Sequence, residues 1–470
     1  MIRIVLFAFL FSHLAWLPIM AQWMHPPRGT SVRQPLADSV ITGDRNFGRA
    51  AAGLMLVQLL PWSFNYFIVH EPTSRISFKS VGKNLKPGSW DWDDGYFTTN
   101  QFAHPYHGGL YFNAFRSNGY SFGQSSLASF GGSLMWELVF ETEAPAINDL
   151  VNTSAGGVIM GEMTHRIASR ILKGEAYGIR RQGREVLATL VNPMLGLNRL
   201  VTGRWGKPIA GAQPDSSVVT IDAETGIRRI DTQHGDFLTK GVNSWFASFR
   251  LVYTTGDREE KKPFEDFMVY TEFADEDTTR YSYRFNAMNI HGLLYGRGLL
   301  EQVPGRHQWS VSANYDYFNN KSFFYGGQSV NANFTSYFEI RRGIRLDAGV
   351  GAGAVLLAAV PDDHADPDKN RDYNYGPGVS VRAHGILDIA NRFRFSTRYN
   401  SGYLFTVSGT ESTHSLHTVS SDLSIRLFDG FYANINSGYF TLKGNYRGHP
   451  EVDKNYPFGR IGLGYRKTFF

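Results

Sequence analysis

The sequence of 470 residues contains no cysteine. This absence excludes a disulfide framework, a thiolate metal site, a cysteine nucleophile and a lipid-bearing cysteine behind a signal peptide. A concentrated basic arm is missing too, because 47 basic and 42 acidic residues are spread along the chain and leave a net charge of +5. The composition therefore does not indicate nucleic acid as a partner.

Long apolar runs are scarce outside the N-terminal part of the chain. Residues 1–21, "MIRIVLFAFLFSHLAWLPIMA", have one early arginine and an apolar stretch that ends at Ala21. The stretch is short for a bilayer span, so it predicts a secretory signal peptide, with a membrane anchor as the alternative. We expect residues 22–47 to be a linker in an extracytoplasmic space.

Aromatic residues and glycine are abundant, at 14% aromatics and 49 glycines. This composition suits a protein with many strands and lipid-facing aromatic girdles. From about residue 241, apolar and polar residues alternate, as in "HQWSVSANYDYF" and "RFRFSTRYN". The alternating segments run for about 12 to 18 residues, longer than the roughly 5 or 6 typical of soluble strands. Tight connections such as "RRG", "IANR" and "FDG" alternate with long ones, which is typical of outer-membrane barrels.

An even strand number is expected, because both ends of such a chain lie in the periplasm. Reading from residue 242 to the end yields eleven strand candidates, so a twelfth is needed, and either 74–81 or 215–225 could supply it. The sequence thus predicts a mainly β protein in which residues 206–470 form a transmembrane antiparallel barrel of about twelve strands. The terminal Phe470 resembles the last residue of Gram-negative outer-membrane proteins. Outer-membrane lipids and the outer-membrane insertion machinery are the expected partners.

Residues 48–205 predict an α-helical domain instead. The stretch 48–67, "GRAAAGLMLVQLLPWSFNYF", is apolar and helical in propensity, and we expect a buried helix that Pro61 kinks or ends. Glycine pairs at 131–132 and 156–157 allow close packing of helices. Because a twelve-strand lumen is narrow and easily filled, we expect this domain to be periplasmic or a plug inside the barrel.

Polar residues recur at helical spacing within this domain. If Pro105 falls in the first turn of a helix, one face carries a polar stripe. The stripe consists of Asn100, His104, His107, Tyr111 and Asn118. Glu137 and Glu141 follow four residues apart, and Glu162 faces Arg166 across one helical turn, which predicts an intrahelical ion pair.

The run containing "NQFAHPYHGGLYFNAFRSNG", "WELVFETEAPAINDLVNTSAGG" and "GEMTHR" resembles a domain of unknown function. That domain precedes barrels in uncharacterised Gram-negative outer-membrane proteins, and the likeness covers roughly residues 80–175. More faintly, the order of acid, His, Glu and Asp-x-x-Asn followed by Gly is similar to VanZ-like helical membrane proteins. The matching positions are Asp94, His104, Glu137, Asp149, Asn152 and Gly156. Neither resemblance implies a particular reaction or cofactor.

In a purely structural interpretation, these polar side chains only pair with one another and hold the helices together. Beside it, three functional hypotheses remain open. In the first, the helical domain forms a polar site that binds a lipid or another envelope component, for which we name Asn100, Tyr111, Asn152, Glu162 and Arg166 as binding residues. In the second, the protein hydrolyses lipid or lipopolysaccharide. The catalytic candidates are then His104, His107, Asp94, Glu137 and Asp149, with Ser121, Ser125 or Ser126 as nucleophile. The third is a plugged channel.

A metal site is the weaker interpretation of the two histidines. His104 and His107 at i, i+3 could face one cation, with Glu137, Glu141 or Asp149 completing the site. However, H-x-x-H without a further ligand motif is common by chance, so we predict no metal.

Overall fold

The computed structural model describes residues 44–209, 217–231, 237–255, 260–274, 285–299, 305–320, 323–367 and 371–469. The predicted signal peptide, most of the predicted linker and Phe470 lie outside these residues.

Twelve long strands form one closed antiparallel ring in the part of the chain that the structure describes. They are β1 Val218–Ile230, β2 Val242–Thr254, β3 Phe267–Ala274, β4 Phe285–Leu299, β5 Arg306–Asn319, β6 Phe324–Arg341, β7 Ile344–Pro361, β8 Tyr373–Ile389, β9 Phe393–Phe405, β10 Ser412–Phe428, β11 Phe431–Tyr446 and β12 Val452–Phe469. Each strand pairs with the next along the chain, and β12 closes the ring against β1, with Val219 opposite Phe469. A two-residue strand, Glu260–Lys261, adds to β4.

The predicted barrel and its strand number are confirmed. The twelfth strand is β1, which comes from the candidate at 215–225. The other candidate, 74–81, is wrong because Ser77 and Ser80 form a reciprocal capping box that starts a helix there. The tight turns after β6, β8 and β10 lie at the ring edge where β12 ends, whereas residues 362–367 and 371–372, between β7 and β8, lie at the opposite edge.

Side chains of each strand alternate between the lumen and the outside of the ring. On β9 to β12, Arg398, Asp422 and Arg460 line the lumen, whereas Val419 and Ile435 between such positions point outward and are exposed. This is the alternation that a water-facing interior and a lipid-facing exterior require.

The barrel's own side chains fill much of its lumen with ion pairs. Glu272 lies 2.8 Å from Arg228 and 2.5 Å from Arg460. Asp316 binds Arg382 at 2.5 Å. A cavity of about 320 Å³ remains among the lining residues.

Eight α-helices precede the barrel among the residues that the structure describes. They are α1 Phe47–Phe64, α2 Phe78–Asn84, α3 His104–Arg116, α4 Phe122–Met135, α5 Ile147–Val151, α6 Gly157–Leu172, α7 Gly178–Val191 and α8 Pro193–Val201. Four π-helical turns interrupt or extend them, at Asn65–Val69, Thr99–Ala103, Trp136–Phe140 and Asn152–Gly156. A short helix, α9 Phe237–Lys240, lies between β1 and β2.

Helix α1 is not the buried helix that its composition led us to expect. Only Ala50, Leu54, Val57 and Gln58 are buried in it, and it continues through Pro61 to Phe64. With the π-helical turn that follows, it forms the segment Phe47–Val69, which is long and apolar enough to cross a membrane by length and composition. The expectation failed because the apolar side chains of α1 surround the helix, while the domain offers only one face to bury them.

Glycines let α3, α4 and α6 approach one another closely. A Cβ on Gly108 would lie 1.7 Å from the carbonyl oxygen of Thr153, so the two backbones are in direct contact. A Cβ on Gly132 would meet the Tyr111 ring at 2.6 Å. Of the two predicted glycine pairs, Gly132, Gly156 and Gly157 are closely packed, whereas Gly131 faces open space.

The helices pack against the outer side of the barrel wall, from β2 to β8. On β5, Tyr315 and Tyr317 join the core beneath the helices, whereas Asp316 between them faces the lumen. The expectation that this domain plugs the lumen is therefore wrong for the described residues. Outward-pointing side chains of the barrel, and not luminal ones, make the contact.

Candidate functional site

The centre of the candidate site is His104, the first residue of α3. Its Nδ1 lies 3.1 Å from Oγ1 of Thr153, which sits in a π-helical turn. Its Nε2 lies 3.7 Å from Oδ1 of Asp149 on α5. The imidazole is thus held between a hydroxyl and a carboxyl group, and we call His104, Thr153, Asp149 and the neighbouring Glu137 and Asp93 the His104 cluster.

The carboxyl groups of this cluster are hydrogen-bonded, and those of Glu137 and Asp149 are buried. Asp149 accepts a bond of 2.7 Å from the Asn148 amide, and Glu137 accepts one of 2.8 Å from the backbone N–H of Ala146. Asp93 accepts bonds of 2.7 Å from Gly95 N and from the side chain of Asn100. These donors fix where the carboxyl groups point.

No lysine or arginine among the described residues lies within 4 Å of the carboxyl groups of Glu137 or Asp149. Elsewhere in the same domain buried acids have two such partners each. Glu162 binds Arg116 at 2.7 Å and Arg166 at 2.8 Å. Glu185 is paired in the same way with Arg181 and Arg199. The His104 cluster is therefore an acid-rich region without its own strong cation.

Burial and mutual repulsion shift the proton affinities in the cluster. Burial raises the pKa of Glu137 to about 8, helped by the nearby charge of Asp149. Burial also raises the pKa of Asp149 well above its usual range, and Asp93 adds to the effect. Burial lowers the pKa of His104 to about 4, with nearby His107 in the same direction. Near neutral pH the imidazole is neutral, and protonated Glu137 predominates. Perturbed groups of this kind are typical of functional sites.

The predicted polar stripe does not converge on one site. Nε2–H of His107 donates to the carbonyl oxygen of Val57 at 3.2 Å, and the Tyr111 hydroxyl donates to Gln58 at 2.6 Å. Both therefore face α1, while His104 faces Asp149. The π-helical turn before α3 turns Asn100 toward the barrel instead.

Asp94 also lies outside the cluster. It is half exposed and its carboxylate is 3.6 Å from Arg371, next to the barrel rim. Its neighbour Asp93 occupies the inward position. Alternation along this extended stretch turns the two acids to opposite sides, so Asp94, which the sequence analysis named, does not join His104.

Glu162 and Arg166 form the ion pair that their spacing predicts. They belong to a separate structural network, because Arg116, which the sequence analysis missed, holds the same carboxylate with two hydrogen bonds. Arg166 also donates to the carbonyl oxygen of Pro263 in the β2–β3 connection at 2.9 Å. This network ties α3 and α6 to the barrel.

Amide side chains border the cluster where the helices meet the wall. Asn100 donates to the Tyr373 hydroxyl at 2.9 Å, and the Tyr315 hydroxyl donates to the backbone carbonyl of Gln101 at 2.6 Å. Unused hydrogen-bonding capacity remains here. Asn152 and Gln328 are fully buried, and neither side chain has a hydrogen-bond partner among the described residues.

Three of the four π-helical turns among the described residues carry a residue that belongs to the His104 cluster or is hydrogen-bonded to it. Asn100, Glu137 and Thr153 each lie in one of them. Such turns widen the helix locally and are frequent at functional sites. The sequence shows no signal for them, although the spacing of Asp149 and Thr153, one helical turn apart, could have identified the hydroxyl.

The serines that we considered as nucleophiles do not contact His104. Ser121 caps α4, and Ser126 donates to the carbonyl oxygen of Phe122. The hydroxyl at the imidazole belongs to Thr153. Among the described residues, no group of three His, Asp or Glu side chains could hold a metal ion.

The closed ring, its apolar outer face and its polar lumen define an outer-membrane β-barrel, here with a helical domain on its wall. Residues 89–194 of that domain, which contain the whole His104 cluster, match a family model described as a domain of unknown function, DUF3943. No curated protein matches the sequence. The fainter similarity to VanZ-like proteins is not supported by these comparisons and stays a resemblance in sequence.

The structure is similar to solved outer-membrane barrels, at low sequence identity and low TM-scores. The NanC porin is 9% identical, with a TM-score of 0.29 over 52% of this chain and 98% of that one. The DcaP channel of Acinetobacter baumannii is 9% identical, with a TM-score of 0.24 over 55% and 99%. TodX, a monoaromatic hydrocarbon channel, is 7% identical, with a TM-score of 0.25 over 56% and 92%.

Proposed function

We propose that the helical domain of this outer-membrane barrel binds the amine-bearing headgroup of an envelope lipid at the His104 cluster. The observation that carries the proposal is the pair of buried acids, Glu137 and Asp149, that have no arginine or lysine beside them. Cofactors are not needed for this role.

The physical argument rests on the cost of burying a carboxylate. An ionised carboxyl group in an apolar interior is costly unless a cation and hydrogen bonds compensate it. Glu162 meets this requirement with two arginines of its own domain. Glu137 and Asp149 have no such partners, and their raised pKa values keep a proton on them near neutral pH. An ammonium group from outside the chain would lower these pKa values, let the acids ionise and pair with the carboxylates that form.

The neighbouring amides extend the proposed site beyond the amine. Asn152 lies in the π-helical turn that packs against β6, and Gln328 is an outward-facing residue of β6. Amide N–H groups without partners can donate to phosphate or ester oxygens of a headgroup. A lipid with an amine and a phosphate therefore suits the chemistry of this region.

Native mass spectrometry of the detergent-purified protein tests the proposal. We expect phosphatidylethanolamine to be retained in preference to phosphatidylglycerol of the same acyl chains. The double variant Glu137→Gln/Asp149→Asn should abolish that preference, because it removes the two groups that can ionise when an ammonium group binds. Glu411→Gln, an exposed site paired with Arg447, is the matched control and should behave as the unmodified protein. Equal retention of the two lipids by the unmodified protein would refute the proposal.

A lipid hydrolase is the second candidate, and the line from Thr153 through His104 to Asp149 favours it. In this mechanism Oγ1 of Thr153 attacks an ester carbonyl carbon and its proton passes to Nδ1 of His104. The leaving alcohol takes that proton, and water then hydrolyses the acyl-threonine. Asp149 would orient the imidazole.

The two candidates are separated by an assay of fatty-acid release from outer-membrane lipids. Hydrolysis predicts release by the unmodified protein and by Thr153→Ser, which keeps the hydroxyl. Thr153→Val and His104→Ala should both lose it while the barrel keeps its heat-modifiable migration. Binding of phosphatidylethanolamine without any fatty-acid release leaves only the binding function.

A further inference from the structure

We infer that the helical domain lies within the hydrocarbon layer of the same bilayer as the barrel, with acyl chains as the partner of its outer surface. This inference goes beyond the proposed function and does not depend on it. It concerns the apolar outer surface of helices such as α1 and α4 and not the His104 cluster, whereas the exposed Lys79 and Lys83 on α2 mark a part of the domain that faces water.

The first observation is the position of the helices on the barrel wall. On β9 to β11, outward side chains such as Phe395, Val419 and Ile435 are exposed, and in a membrane barrel such positions contact lipid. On β4 and β5, the outward side chains Ile290 and Tyr315, which lie toward the edge with the long connections, are fully buried under the helices, whereas Phe334 on β6 and Val379 on β8 stay exposed. The helices therefore cover a part of the wall that acyl chains would otherwise cover.

The second observation is the surface that the helices turn away from the barrel. Large apolar side chains are exposed on several helices, including Leu60 on α1 at 61%, Leu127 on α4 at 72% and Ile179 on α7 at 88%. Soluble proteins rarely expose wide apolar patches. Both the bare wall of the barrel and the helices beside it therefore expose large apolar side chains.

The third observation is the interior of the helical domain, which is rich in polar side chains. Gln58, Asn113 and Arg116 are buried, and each of them donates hydrogen bonds to groups on neighbouring segments. Helices that associate inside a bilayer use small residues for close approach and polar side chains for interhelical bonds. The contact between Gly108 and Gly157 and the polar interior follow that pattern.

The fourth observation is the length and place of α1. With its π-helical turn it covers 23 residues, about 34 Å at 1.5 Å per residue, which is enough for a hydrocarbon core of about 30 Å. It packs on α3 through Leu54 and Val57, which contact Tyr111 and Ala114. Its remaining apolar side chains point away from this contact.

Site-directed spin labelling tests the inference directly, because the chain has no native cysteine to remove. Single variants Leu60→Cys and Leu127→Cys are labelled with a nitroxide in phosphatidylethanolamine–phosphatidylglycerol vesicles. Val419→Cys on the bare wall is the lipid reference, and Glu411→Cys, in an exposed connection, is the water reference. Retained heat-modifiable migration shows that each variant is folded.

We expect the labels at 60 and 127 to match the label at 419, with high collision rates for oxygen and low rates for a water-soluble nickel chelate. Nickel accessibility equal to that at 411 would overturn the inference and place the domain in water. Low accessibility to both reagents, with dipolar broadening between labels, would also overturn it, because a second copy of the chain would then cover this surface. Two sites on different helices keep the test decisive if one variant misfolds.

Discussion

At the scale of single residues, this protein treats buried acids in two ways within one domain. Glu162 and Glu185 are each held by two arginines, and this pairing fixes helices relative to one another. Glu137 and Asp149 are held by hydrogen bonds alone. Removing an arginine that pairs with Glu162 or Glu185 leaves a buried charge without its partner, at a cost of about 3 to 5 kcal/mol. Neutralising Glu137 or Asp149 instead removes a charge that is unfavourable whenever the group is ionised.

The raised pKa of Glu137 predicts a pH-dependent stability. Because its folded pKa of about 8 exceeds the ordinary 4.5, the folded state holds a proton that the unfolded state releases. The free energy of unfolding should therefore fall as pH rises from about 4.5 to 8. Glu137→Gln should weaken this fall and be more stable than the unmodified protein at pH 9. Urea unfolding in detergent, followed by tryptophan fluorescence at pH 6 and pH 9, measures it. An unchanged pH dependence in the variant would contradict the assignment.

Glycine substitutions at two helical positions should have opposite outcomes. Gly108→Ala places a Cβ 1.7 Å from the carbonyl oxygen of Thr153, so α3 and α6 must separate, and we expect a loss of several kcal/mol. Gly131→Ala meets nothing within 4 Å and should be neutral or stabilising by up to about 1 kcal/mol, since alanine favours the helix. Protease resistance of the helical domain and its unfolding midpoint test both variants. Equal effects would show that the close approach is not important.

The sequence identified part of the candidate site and misassigned part of it. His104, Glu137 and Asp149 were named from residue type and order, and the structure brings His104 and Asp149 together. Thr153 was missed because a threonine gains its role only from the fold. Asp94 was preferred to Asp93 because spacing along an extended segment does not reveal which side faces the interior.

At the scale of elements, strands were easier to predict than helical detail. Each strand has a period of two with one apolar face, and its ends are marked by turns, so eleven strands and the alternative for the twelfth could be read directly. The π-helical turns could not be read, because no residue type specifies them. Each one shifts the helical phase, which explains why Asn100 and His104 point to different neighbours despite their helical spacing.

The attachment of the helices to the wall depends on tyrosine hydroxyls of β8. Tyr373 donates to the carbonyl oxygen of Gly95 at 2.7 Å and receives a bond from Asn100, while Asn148 donates to Tyr375 at 3.3 Å. The double variant Tyr373→Phe/Tyr375→Phe should weaken attachment by about 1 kcal/mol for each lost bond. Limited proteolysis should then cut the helical domain faster.

A matched control exists on the part of the wall that the helices leave bare. Tyr439→Phe removes an outward hydroxyl on β11, where the side chain is exposed. It should leave proteolysis unchanged. If the double variant also shows no change, the hydroxyls do not hold the domain.

At the scale of the whole molecule, the lumen and the helical domain are independent. The ion pairs around Glu272 and Asp316 cross the lumen, and Phe323, Leu442 and Tyr456 form a buried apolar cluster toward the edge with the long connections. All of these residues belong to the barrel. The sequence suggested a plug because a domain ahead of a narrow barrel often fills it. The strand side chains that contact the helices point outward, however, so the helices lie on the outer side of the wall.

This independence predicts the outcome of planar-bilayer recordings. Deleting residues 44–209 should leave the conductance at the level of the full-length protein, because no described helix blocks the lumen. The double variant Phe323→Ala/Tyr456→Ala should raise it by thinning the apolar cluster. Conductance that appears only on deletion of the helical domain would show that helices block the pore after all.

The one-sided attachment of the helices to β2–β8 also gives the molecule a front and a back in the plane of the membrane. A ring of twelve similar strands alone would look nearly alike from every lateral direction. With helices on one flank and bare strands on the other, a neighbouring protein meets a different surface according to its direction of approach, so lateral associations of this barrel are directional.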